Sequence, residues 1–161
     1  MAQLNVGLNS TRIAALRFNR DVIPLWSFAQ STSSEDLIER IDRVTYDGSG
    51  THTGKALTYA ANRLFTEAEG DRPDVPDLAV VLTDGRAQDN PGDTVQALKN
   101  KGVKVIAIAV TNRVDINEIY AIASDPDEQN AFFVNDFEGL FSVVENIALF
   151  ACGQPTWSEW G

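Results

Sequence analysis

Two oxygen-bearing side chains stand where this chain could hold a hard cation. Asp84 follows the apolar run 78–82 (LAVVL) and precedes Gly85, which permits a tight turn. Thr51 lies in Gly48-Ser49-Gly50-Thr51-His52-Thr53-Gly54-Lys55, where three glycines and three hydroxyls lead into a helical pattern. Hydroxyl and carboxylate oxygens suit Mg²⁺, Mn²⁺ or Ca²⁺ better than soft metals. Two ligands fall short of the six positions that magnesium fills. A carboxylate at a strand end also serves as a turn-former or helix cap, and from this segment alone that reading stays open.

The glycine-rich segment also invites comparison with a phosphate-binding loop, G-x-x-x-x-G-K-[ST]. The match fails twice. Ser49 stands where the first glycine belongs, and Ala56 replaces the hydroxyl that would hold magnesium. An intracellular nucleotide-binding domain is therefore rejected. His52 is the sole histidine and has no carboxylate-paired nucleophile near it, so it is read as an exposed loop residue. One cysteine and one histidine leave no basis for a zinc site. The residues imply no enzyme.

Strand-like and helix-like segments alternate along the chain and predict an α/β fold with a doubly wound, mostly parallel sheet. Residues 11–18 read as a buried strand, 19–21 as a turn and 22–28 as a second strand. Pro24 places that second strand at an edge, and the short connection makes the pair antiparallel. Ser33 or Ser34 caps a helix with Leu37, Ile38 and Ile41 on one face. A second helix runs over 53–65, with Ala56, Leu57, Ala60, Ala61 and Leu64 at helical spacing. The continuous apolar runs 78–82 and 103–110 read as central parallel strands. Between them Pro91 opens a helix that Gly102 stops. Residues 116–123 form a short helix, 132–134 a last strand and 137–150 a final amphipathic helix.

The chain has 161 residues, enough for one domain with a real core, and its 43% hydrophobic composition is globular. A net charge of −10 without any Lys/Arg run excludes nucleic acid as a partner. No apolar run approaches the roughly 20 residues of a membrane span. Residues 1–5 have neither the basic start nor the apolar stretch of a signal peptide. Cys152 is either a free thiol or the half of a pair whose partner lies outside the chain.

The order of motifs carries a resemblance. A hairpin is followed by G-T-x-T-G-x-A-L (Gly50 to Leu57), R-P-x-x-P (Arg72 to Pro76) and V-V-L-T-D-G (Val80 to Gly85). The strand I-A-I-A-V (Ile106 to Val110) and the ending F-x-V-x-D-F-x-x-L (Phe132 to Leu140) complete it. Over roughly residues 3–151 the chain resembles a von Willebrand factor A domain of the matrilin, collagen VI and cochlin type. Such domains have a doubly wound sheet with a metal-ion-dependent adhesion site at its carboxyl edge. The resemblance carries the hydroxyl ligand to Thr51 and the third-loop carboxylate to Asp84. Ser49, His52 and the loop from Arg86 to Asn90 would line the ligand rim. The family's D-x-S-x-S motif, its first and central strand, and most of its first helix have no counterpart. Asp47 to Thr51 spells D-x-S-x-T, but no apolar strand precedes it, and the match is coincidence.

The resemblance implies residues 1–151 as an A domain lacking its first strand, either a fragment or an incomplete gene model, with a metal site that is incomplete in this chain. A chain without that central strand is expected to be unstable or prone to aggregate. Trp157-Ser158-Glu159-Trp160 resembles the opening of a thrombospondin type 1 repeat, so residues 152–161 read as a linker and the start of that module. In such modules a cysteine like Cys152 commonly pairs with one before the first strand, here outside the chain. Asn9-Ser10-Thr11 is a glycosylation sequon. The implied setting is secreted, in extracellular matrix or at the cell surface. The implied partners are collagen-like or acidic-residue-bearing proteins, bound through a divalent cation. The alternative is a metal-independent structural module of matrix assembly.

Overall fold

The computed structural model describes residues 4–45, 48–84, 86–110 and 113–153. They form two compact units. One comprises Asn5–Val75 and Ala87–Ala97, and the other contains Pro76–Arg86 and the chain from Leu98 onward.

In the first unit, β1 (Ala15–Phe18) and β2 (Val22–Trp26) pair antiparallel, with Phe18 opposite Val22 and Arg17 opposite Ile23. The turn is closed by Asn19, whose side-chain oxygen accepts from the Asp21 amide at 2.8 Å. Pro24 is exposed on β2, which among the described residues pairs with β1 alone, the edge position that a residue without an N–H tolerates. β1 is shorter than the expected 11–18. The Ile13 amide donates to Ser31 Oγ at 2.9 Å and its carbonyl accepts from Trp26 Nε1 at 3.0 Å, so side chains take the place of a ladder there.

Helix α1 (Ser34–Asp42) starts as expected, with Ser33 Oγ accepting from the Asp36 amide. Its predicted apolar face does not form: Leu37 is buried, whereas Ile38 and Ile41 are 59% and 56% exposed. Helix α2 (Thr53–Tyr59) widens into π geometry over Ala60–Leu64, and the Phe65 amide reaches back five residues to the Ala60 carbonyl. All five apolar residues read at helical spacing here are buried.

In the second unit, β3 (Leu78–Thr83), β4 (Lys104–Val110) and β5 (Ala131–Val134) form a parallel sheet in that order. Ile106, Ile108, Val110 and Val134 make a core on one face, covered by Leu140, Val143 and Ile147 of α7 (Phe137–Gly153). The alternate β4 residues Val105, Ala107 and Ala109 are buried on the other face, where α5 (Ile116–Ile122) packs with Ile119 and Ile122.

Two expectations are corrected here. The run 78–82 reads as a central strand, yet among the described residues β3 ends its sheet and no ladder joins it to the β1–β2 pair. Val80 and Leu82 lie in register with buried Ile106 and Ile108 but are 48% and 42% exposed. The helix expected from Pro91 to about residue 101 is two pieces, α3 (Pro91–Thr94) and α4 (Gln96–Asn100). Only Val95 separates them: it keeps right-handed helical dihedrals, and its amide donates to the Pro91 carbonyl at 2.9 Å, an oxygen that also accepts from Thr94 Oγ1 at 3.1 Å. Gly102, at φ 83°, stops α4 as expected. A turn of helix, α6 (Asp127–Asn130), precedes β5. The final helix continues three residues past the expected 150, so Cys152 lies within α7.

Candidate functional site

The loop carrying Thr51 is fixed from both ends. Gly50 takes φ 115°, and a Cβ there would stand 2.6 Å from Gln88 Oε1. The Thr51 amide donates to that oxygen at 3.2 Å, and the Gln88 amide donates to the Thr51 carbonyl at 2.8 Å. His52 donates its amide to the Asn19 carbonyl at 2.7 Å, tying the loop to the hairpin turn. Asp89 then caps α2: its two carboxylate oxygens accept from the Gly54 and Lys55 amides, each at 2.9 Å. Gly54 leaves no room for a Cβ, which would stand 3.0 Å from Asp89 Oδ2 and 3.1 Å from Thr94 Oγ1.

A helix N-terminus attracts anions because its first amides lack partners and its dipole is positive there. Asp89 supplies that anion from within the chain. The two N–H groups that a phosphate-binding loop would offer are already engaged, in keeping with the sequence mismatch. The Lys55 ammonium turns to the Arg20 carbonyl at 3.1 Å.

The residues of the expected rim fall as follows. Ser49 is exposed. His52 is not the exposed loop residue expected: it is half-buried, and Nδ1 is buried without a hydrogen-bond partner among the described residues. Neighbouring Thr53 is fully buried, with Oγ1 in the same condition. Asp84 is exposed and directly follows β3. Arg86 is 73% exposed and pairs with Asp115 Oδ2 at 3.0 Å, while Asp115 Oδ1 caps α5 through the Asn117 amide. Thr51, Ser49 and His52 belong to the first unit, Asp84 and Arg86 to the second. Asn9 is exposed in a turn closed by the Ser10 amide on the Gly7 carbonyl. Residues 154–161, with the Trp-Ser-Glu-Trp stretch, lie outside the described residues.

Sequence reasoning placed Gln88 and Asp89 only in the rim loop 86–90 and missed that they hold the Thr51 loop and the start of α2. No spacing rule links Asp89 to amides 35 and 34 positions earlier, or Gln88 to one 37 positions earlier.

Thr51 carries a hydroxyl and Asp84 a carboxylate, each an oxygen donor of the kind a hard cation takes, and among the described residues no group of three or more His, Cys, Asp or Glu could hold an ion. Two protein oxygens fit only part of a magnesium shell.

The von Willebrand factor type A domain model matches residues 1–146. Matrilin-4 of Mus musculus is 34% identical over 141 residues, covering 86% of this chain and 22% of that protein. The collagen alpha-1(XII) chain of Oryctolagus cuniculus is 32% identical over 118 residues, covering 73% of this chain and 18% of its own length. The chain thus spans about a fifth of these relatives. Among solved structures, proximal thread matrix protein 1 from the mussel byssus superposes with TM-score 0.83 at 25% identity, over 91% of this chain and 38% of that one. A second structure of that protein, described as having a zinc-occupied MIDAS motif, gives TM-score 0.81 at 26% identity, over 92% of this chain and 36% of that one. Fold, motif order and family model agree: the chain belongs to the von Willebrand factor type A domain family.

Proposed function

We propose that this chain is the interaction module of an extracellular matrix protein and no enzyme, binding protein ligands through a divalent-cation site of which it supplies one part. The observation that carries this reading is Asp84 standing directly past the carboxyl end of β3, the edge where open α/β sheets bind ligands. Thr51 and Asp84 would hold the ion. A bound Mg²⁺, Mn²⁺ or Ca²⁺ supplies a positive centre that an acidic ligand side chain can complete. This chain's own residues hold the Thr51 loop in place and keep Arg86 beside Asp115. The relatives' matrix setting and the metal in the mussel protein support the reading. Among the described residues no helix is long and apolar enough to cross a membrane.

On this reading a further strand belongs beside β3, which among the described residues pairs with β4 alone, together with a helix to cover it. Val80 and Leu82 support this: both expose apolar surface on the face that α7 covers over β4 and β5. On this reading the remaining ligands, and a thiol partner for Cys152, reside on segments other than those described. Residues 152–161 then lead into a following module.

One observation favours a metal-independent assembly role as the second reading: Gln88 and Asp89 hold the Thr51 loop and the start of α2 through hydrogen bonds from within the chain. Binding to immobilised triple-helical collagen, measured with Mg²⁺ and with EDTA on a chain extended upstream by a D-x-S-x-S strand, separates the two. Cation-dependent binding supports adhesion. Binding that EDTA leaves unchanged supports assembly, and no binding in either condition removes collagen as the ligand.

A further inference from the structure

A second site is formed in the first unit, sharing no residue with the Thr51 loop. A cleft of about 300 Å³ lies between the β1–β2 hairpin and the end of α1. Its floor includes Ile23, Trp26 and Val44, and Arg17, Arg40 and Arg43 also line it. In a chain with 13 Lys and Arg against 23 Asp and Glu, three guanidinium groups around one cleft are a marked local excess of positive charge.

The arginines are held in place. Arg17 stands opposite Ile23 in the ladder and donates through one terminal nitrogen to the Thr45 carbonyl. Arg40 Nε pairs with Asp36 Oδ2 at 2.9 Å, and Arg43 pairs with Glu39. Each of these bonds uses one of the three nitrogens of a planar group that carries five N–H donors. Donors remain on each guanidinium for a further acceptor.

We propose that this cleft binds a short acidic segment of a partner protein, one carboxylate meeting the arginines while a neighbouring apolar side chain lies on the floor. Two features favour a peptide over a sulfated polysaccharide. The floor is apolar, which a heavily hydrated polyanion cannot use. Asp36 and Glu39 already neutralise part of the local charge, and the chain's net −10 repels a long polyanion while leaving room for one carboxylate. The volume lies at the small end of ligand sites, about 300–1,000 Å³.

The test titrates the ¹⁵N-labelled full chain with an acetylated, amidated hexapeptide of alternating leucine and aspartate. Parallel arms use the same peptide with asparagine and a heparin hexasaccharide. The proposal expects shifts centred on the Trp26 indole and the Arg17 and Arg43 amides. Affinity should fall about tenfold in Arg43→Gln and further in the Arg40→Gln/Arg43→Gln pair. Arg43 is 74% exposed, so the single variant keeps the fold and decides the matter if the double variant does not. Absence of shifts at millimolar peptide, equal binding of the asparagine peptide, or tighter binding of the hexasaccharide each overturns it.

Discussion

Replacing Asp89 with alanine probes the device that holds the Thr51 loop. Two charge-assisted bonds of 2.9 Å, to the Gly54 and Lys55 amides, would be lost together with a negative charge at the start of α2. Loss of a helix cap costs about 0.5–2 kcal/mol, and the charge–dipole interaction adds about 0.3–1 kcal/mol where the group is partly exposed. Asp89 is half-buried, so water recovers part of the loss, leaving about 2 kcal/mol. Asp89→Asn keeps one acceptor oxygen, and about half that cost is expected. Urea unfolding measures the global effect, with the midpoint falling and the slope unchanged. Amide exchange measures the local one: protection at Gly54 and Lys55 should fall about 30-fold, the equivalent of about 2 kcal/mol. An unchanged midpoint with unchanged exchange at both amides would refute the reasoning. Loss of protection without a change in midpoint would confine the bonds to local order.

Val80→Thr and Leu82→Thr should each move stability by less than about 1 kcal/mol, because both positions are nearly half exposed, while reducing self-association in sedimentation. A loss of core size, about 2 kcal/mol or more, would place them inside the core after all. Burial lowers the Lys99 pKa below the usual 10.5, opposed by the nearby Asp125 and Asp127 charges. The folded chain then holds fewer protons than the unfolded one between that lowered value and 10.5, so the Lys99 contribution to stability rises with pH through that window. A ¹³C titration of the Lys99 side chain checks this, and a midpoint at or above 10.5 contradicts it.

Much of the fold was legible because the signals are local. The apolar runs 78–82 and 103–110 form strands, Ser33 caps α1, Pro91 opens a helix and Gly102 ends one, each acting within a few residues. What was not legible depends on partners distant in the chain. The start of β1 is replaced by bonds from Ser31 and Trp26, which periodicity does not encode. Ile38 and Ile41 have the composition of a buried face, yet burial depends on what packs against it. A run rich in Val and Leu reads as central because it is apolar on both sides, and only pairing decides whether neighbours are present. Of the candidate site, Thr51 and Asp84 were read from motif and strand-end position alone. Gln88 and Asp89 act through backbone amides, which every residue carries and no motif marks.

The central claim is that Thr51 and Asp84 are one part of a cation site which a further strand completes. The direct test is the melting temperature with and without saturating Mg²⁺, in this chain and in the chain extended by a D-x-S-x-S strand. Ligand at about 100 times its dissociation constant stabilises by about 2.7 kcal/mol, or about 5–10 °C for a domain of this size. The account predicts no Mg²⁺ shift in this chain, and a shift of that order in the extended chain that Thr51→Ala or Asp84→Ala abolishes. A Mg²⁺ shift in the extended chain that survives both substitutions, or no shift at all, would contradict it.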